Sequence, residues 1–255
     1  MQVWQYLLLV LSVLLGGGLA QIMRSGEDER RWREYLPLLL SFSGAYLLGI
    51  AAMELMPTVF AGGGGHVGVW LLGGFFVQLL LESLSQGVEH GHVHAHDHGN
   101  YRYAIAVMIG LGLHALLEGL PLGAETGNPG GGHDHVDHAH AHNGDHLLWG
   151  IVLHKFPAAF ALGLLLRYSN YSRVFTWTCL AVFAALSPVG AALGEVISIS
   201  PVWTNRVLAV VTGSFLHIST TILFEADGKE HHHGISPRKL LVVVLGMVVA
   251  FFTAH

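Results

Sequence analysis

The 255-residue chain has one cysteine and little charge; Asp, Glu, Lys and Arg together make up 11% of its residues. A lone Cys179 cannot close an internal disulfide or supply a multi-cysteine zinc motif, and the role of a small buried apolar residue suits it. A soluble domain carries about 25% charged residues, so the shortage of charge excludes an ordinary water-exposed fold. Basic excess is missing too: net charge is −5 with His neutral, which argues against a nucleic-acid partner. No G-x-x-x-x-G-K-S/T loop cradles ATP, and no H-E-x-x-H helix marks a metalloprotease. What the chain has in quantity is hydrophobic residues, 52% with mean hydropathy +0.53. It also has 19 His against 12 Lys and Arg.

A bilayer crossing needs about 20 apolar residues. Eight stretches qualify, near 3–23, 35–59, 67–88, 103–123, 147–167, 174–197, 203–225 and 239–254. The first could be a signal peptide, but no Lys or Arg precedes its apolar run. The expectation is an all-α membrane protein, an eight-transmembrane-helix bundle forming a single domain over 1–255. Arg24, Arg30, Arg31, Arg33, Arg102, Arg167, Arg173, Lys229, Arg238 and Lys239 fall in loops on one side, 10 of the 12 basic residues. The positive-inside rule makes that side cytoplasmic and both termini extracytoplasmic.

Two segments, 89–100 and 128–146, read as flexible His-rich loops. The first holds His90, His92, His94, His96 and His98 at every second position, on the cytoplasmic side. The second holds His133, His135, His138, His140 and His142, followed by His146, on the outer side. His231, His232 and His233 fall in the last cytoplasmic loop. Alternating imidazoles bind Zn(II), Ni(II) or Cu(II) without a fixed fold.

The sharper signal lies inside the spans. "LHALLEGLPLG" (113–123) places His114 and Glu118 on one helix face, with Gly110 a turn before them. "LHKFPAAFALG" (153–163) adds His154 and Lys155 in the next span. Ionisable groups at membrane depth face the protein interior or an aqueous path. Two imidazoles and a carboxylate form a common zinc ligand set, so His114, Glu118 and His154 are the candidate ligands. Pro121 and Pro157 follow them, and a helix-interior proline removes a backbone hydrogen bond; the carbonyls of Leu117 and Leu153 are then expected to be freed beside the ligands, as in broken transporter helices. Met53, Glu54, Gln78, Glu82, Lys155, Ser187, His217 and Glu225 are candidate path-lining residues.

These residues resemble the ZIP (Zrt/Irt-like) metal transporters. "HALLEG" matches the family's fourth-span pattern H-N-x-x-D/E-G, and "HKFPAAFALG" echoes its fifth, H/Q-E/D-x-P-H/E-x-x-G. "MELMP", "SPVGAALG" and "GSFLHI" are similar to its second, sixth and seventh spans. The resemblance implies eight spans, termini outside, and alternating access that moves a divalent ion, zinc first, into the cytoplasm across the plasma (inner) membrane. It implies no enzyme activity and no cofactor beyond the transported metal. The partners expected are divalent ions and lipid, with a homodimer as the oligomer considered. Ala115, Lys155, Ala158 and Ser187 depart from the pattern at positions that complete a second metal site in binuclear members. One metal site is therefore expected. Two other readings stay open: an intramembrane zinc hydrolase, since His₂Glu plus water is also a catalytic set, and a metal sensor or buffer working through its loops.

Overall fold

The computed structural model describes residues 1–23, 27–62, 66–88, 101–126, 143–197, 200–225 and 236–254. The described residues are helical apart from caps and short turns. The helices are α1 (Val3–Ile22), α2 (Glu27–Ile50), a π-helical turn (Ala51–Leu55), α3 (Met56–Ala61), α4 (Val67–Ser85), α5 (Tyr101–Thr126), α6 (Asn143–Tyr168), α7 (Arg173–Ile197), α8 (Pro201–Glu225) and α9 (Pro237–Thr253). Among the described residues, seven stretches are long and apolar enough to cross a bilayer, Glu34–Ala61 counting as one. Helix α9 has 17 residues, which reaches about 25 Å at 1.5 Å per residue.

Two boundaries differ from the hydropathy reading. Helix α2 begins at Glu27, well before the apolar run, so Arg30, Arg31 and Arg33 belong to it and not to a loop. Helix α6 begins at Asn143, which brings His146 into the helix. The polar ends of both continue a helix that the apolar segment nucleates, and hydropathy does not register them.

The helices pack as two groups. Helix α5 packs on α7 and α1 on α6, with α1 also against α7; α4 packs on α8 and α2 on α9, with α2 also against α8. Contacts of α4 with α5 and of α2 with α6 join the two groups. Close approach inside each group depends on glycine. A Cβ on Gly123 would lie 1.7 Å from the Ala191 carbonyl oxygen, and one on Gly194 would lie 2.0 Å from that of Leu120. In the other group, a Cβ on Gly74 would lie 1.8 Å from the Val210 oxygen. Small residues are how membrane helices gain van der Waals contact where lipid offers no hydrophobic driving force.

The expected breaks at Pro121 and Pro157 are absent, because α5 and α6 run through both prolines. The irregular turn lies instead in the second span, just before Pro57. There the Met56 N–H bonds to the Ala51 carbonyl in the wide π pattern. The widened turn makes room for a ring that would clash with the preceding turn of a regular helix.

Two apolar clusters fill the interior. One includes Leu40, Leu111, Phe160, Leu165, Phe183 and Ile222. The other includes Leu9, Ile50, Leu148, Ile151, Leu208 and Phe215. Helices α1, α2, α5, α6, α7 and α8 contribute to both. On α5 and α6 the handover falls at residues 115–122 and 151–159, the stretches that carry Glu118, His154 and Lys155. Outward faces stay apolar: Leu72, Phe76 and Leu80 form an exposed stripe on α4, and Val174, Val182, Val189 and Val196 one on α7. Aromatic rings gather at both ends, Trp70 with Trp203 at one and Tyr101, Tyr171 and Phe175 at the other. This is the interfacial distribution of a membrane protein.

Candidate metal-ion pathway

Helix α5 presents His114 and Glu118 on one face, and both are buried, at 3% and 2% exposure. His114 Nε2 lies 3.4 Å from Glu118 Oε2. The other carboxylate oxygen, Oε1, accepts from the Lys155 ammonium on α6. It also accepts from Ser187 Oγ on α7 at 2.9 Å. Ser187 lies close to the Ala115 carbonyl as well, at 2.7 Å. Lys155 is 1% exposed, with its Nζ over the Phe183 ring at 4.7 Å from the centroid. One residue on from His154 around α6, Lys155 projects about 100° from it. Its long flexible stem brings the charge onto the carboxylate, so it does not snorkel to the surface.

His154 is buried at 2% exposure, and its ring meets that of His114 edge to face with centroids 6.0 Å apart. Among the described residues no three His, Cys, Asp or Glu side chains form a group that could hold a metal ion. The three candidate ligands therefore share one buried layer, but the cation on Glu118 in this arrangement is the protein's own lysine. A divalent ion bridging His114 Nε2 and Glu118 Oε2 would have an imidazole and a carboxylate to bind.

On the α4–α8 side, Gln78 is fully buried. Its Oε1 lies 3.1 Å from His114 Nδ1 and 2.9 Å from Ser214 Oγ. One turn along α4, Glu82 pairs with His217 Nε2 of α8, and Phe75 stacks edge-on against the His217 ring at 4.8 Å. Of the residues expected to line a path, Lys155 and Ser187 thus touch the Glu118 carboxylate, Gln78 touches the His114 ring, and Glu82 and His217 touch each other. Glu54 is buried in the π turn of the second span, next to half-buried Met53. Glu225 ends α8 and its side chain lies outside the described residues. The two His-rich tracts and His231–His233 lie outside them as well. Sequence reading missed Ser214 and Phe183. Ser214 was detectable as the hydroxyl one turn before His217, whereas Phe183 carries no signal beyond an aromatic in a span.

Arg206, the one basic residue the sequence places at the opposite end, lies over both Trp70 and Trp203, 5.3 and 4.9 Å from their centroids. Those ring faces accommodate an isolated guanidinium.

The family model described as ZIP zinc transporter matches residues 87–254, more than half of the chain. The chain belongs to the ZIP family. The match takes in α5 to α9, and with them His114, Glu118, His154, Lys155 and Ser187; α1 to α4, with Gln78 and Glu82, lie before it. Protein zntC of Dictyostelium discoideum is 28% identical over 144 residues, 54% of this chain and 32% of that protein. Zinc transporter 1 of Oryza sativa subsp. japonica is 32% identical over 113 residues, 40% of this chain and 32% of that protein. Zinc transporter ZIP9 of Micropogonias undulatus is 27% identical over 222 residues, 75% of this chain and 68% of that protein. The alignments with the first two span about a third of those proteins' length.

Proposed function

We propose that the chain moves a divalent metal ion, zinc first, across a membrane into the cytoplasm, with His114, Glu118 and His154 as its ligands. The observation that carries this reading is the buried polar layer. A carboxylate and two imidazoles from α5 and α6 lie between two apolar clusters in a ZIP family chain. Ionisable groups at such depth are costly and are kept for a path or a site.

In this reading α9 is the eighth span and both termini lie outside. The plasma (inner) membrane is the location, and a homodimer is compatible with the lipid-facing apolar stripes. The site opens outward, takes the ion as Lys155 releases Glu118, and then opens inward past Gln78 and the Glu82–His217 pair. Glu54 and Met53 flank the entrance, and Glu225 the exit. The His-rich loops, 89–100 and 128–146, capture and buffer metal at the two surfaces. The relatives whose printed names say zinc transporter support zinc as the first cargo. The hydrolase reading loses ground to a specific observation: Glu118 is engaged by Lys155 and Ser187 and is not poised on a substrate cleft.

The test is uptake by the purified chain in proteoliposomes with a zinc-sensitive dye inside. Saturable zinc entry is expected. Metal binding without entry would leave the sensor reading in its place.

A further inference from the structure

Gln78 is an expensive residue to bury. Among the described residues its Nε2 has no hydrogen-bond partner, and an aliphatic side chain would fill the same place without a polar group to satisfy. Its Oε1 faces both His114 Nδ1 and Ser214 Oγ. An amide oxygen only accepts, so the imidazole nitrogen facing it carries the hydrogen. In neutral His114 the lone pair then lies on Nε2, the nitrogen turned to Glu118 Oε2 at 3.4 Å.

The backbone delivers these groups to one another. One turn from His114, a Cβ on Gly110 would lie 2.6 Å from the Leu81 carbonyl oxygen, so α5 and α4 nearly touch. One turn from Gln78, Gly74 comes closer still to Val210 of α8, where a Cβ would lie 1.8 Å from the carbonyl oxygen, and Ser214 is one turn beyond Val210. Two close approaches thus bracket the hydrogen-bonded chain His114–Gln78–Ser214.

We propose that Gln78, with Ser214, is a positioning residue that holds His114 as the Nδ1–H tautomer and so aims Nε2 at the metal. This rests on reading His114 as a ligand. The partner of a ligating imidazole's second nitrogen fixes the ring's tautomer and orientation, and its loss typically costs about 10–100-fold in metal affinity. Gln78 and Ser214 belong to the α2–α4–α8–α9 group and His114 to the other. The lock therefore holds only while the two groups keep this register, and a shift of about one turn (roughly 5.4 Å) breaks it. A site whose ligand is aimed in one arrangement and released in another binds and lets go of its ion.

The test uses the full chain with Gln78→Met, which keeps the volume and removes the acceptor, and Gln78→Glu, which keeps an acceptor oxygen. Zinc uptake in proteoliposomes is expected to show a KM raised about 10–100-fold in Gln78→Met, with maximal rate little changed, and a KM near that of the unmodified chain in Gln78→Glu. In ¹⁵N-histidine-labelled protein in zinc-free membranes, the His114 signals are identified by their loss in His114→Ala. They are expected to show hydrogen on Nδ1 in the unmodified chain and a mixture of tautomers in Gln78→Met. An unmodified chain with hydrogen on Nε2, an unchanged KM in Gln78→Met, or equal losses in the Met and Glu variants each overturn the proposal. Full uptake by His114→Ala would instead remove His114 from the ligand set, and this inference with it.

Discussion

A carboxylate as deeply buried as Glu118 needs a cation, and in this arrangement Lys155 supplies it. Removing one partner of a buried ion pair costs about 3–5 kcal/mol, because the other charge is left uncompensated. Lys155→Met is therefore expected to lower the melting temperature of the metal-free protein in detergent. Zinc should raise it by more than it raises that of the unmodified chain, because the metal then takes over the neutralising role. Equal melting temperatures for the two metal-free proteins would mean that the contact of Lys155 with Glu118 does not stabilise the fold. The same lysine bears on how many ions the site holds. Two unit positive charges about 4 Å apart repel by about 4 kcal/mol at an effective dielectric near 20, which favours one bound ion beside Lys155 over two.

At the scale of elements, glycine sets how near the helices come. A methyl group on Gly123 would meet the Ala191 carbonyl at 1.7 Å, whereas one on Gly73 meets nothing within 4 Å. Gly123→Ala is expected to destabilise the protein by roughly 1–3 kcal/mol through overpacking. Gly73→Ala is expected to leave stability unchanged or raise it by up to about 1 kcal/mol, since alanine suits a helix interior better. Thermal melts of the two variants in detergent check this, and a neutral Gly123→Ala would deny that α5 and α7 touch backbone to backbone. The seven long apolar helices were legible in the sequence, because long apolar runs separated by Gly- and His-rich segments leave little choice. His114 and Glu118 were legible as a pair, because four residues is one helical turn. The π turn was not, since proline foretells a disturbance but not which proline makes it: Pro57 does, while α5 and α6 absorb Pro121 and Pro157. The cross-helix contacts were not legible either. That Lys155 and Ser187 meet on Glu118, and that Gln78 reaches His114, depends on which helices adjoin and on side-chain reach, neither of which periodicity encodes.

For the whole molecule, the basic residues and the site make separate claims. The proposed orientation rests on charge: the positive-inside rule would put the turn holding Asn170 with the basic loops, and the end of α3 on the opposite face. With Cys179 replaced by alanine, a cysteine at exposed Ala61 is expected to react with an impermeant maleimide in right-side-out vesicles. One at exposed Asn170 is expected to react only after the vesicles are opened. The reverse pattern would invert the proposed direction of transport. The central claim is that the buried layer, and not the more numerous histidines of the loops, carries the ion. Zinc uptake into proteoliposomes decides between them when Glu118→Gln is compared with a chain lacking residues 89–100 and 128–142, at equal reconstitution. The predicted result is loss of most uptake in Glu118→Gln, with saturable uptake of altered apparent affinity in the loop-deleted chain. Uptake that survives in Glu118→Gln and vanishes with the loops would contradict it.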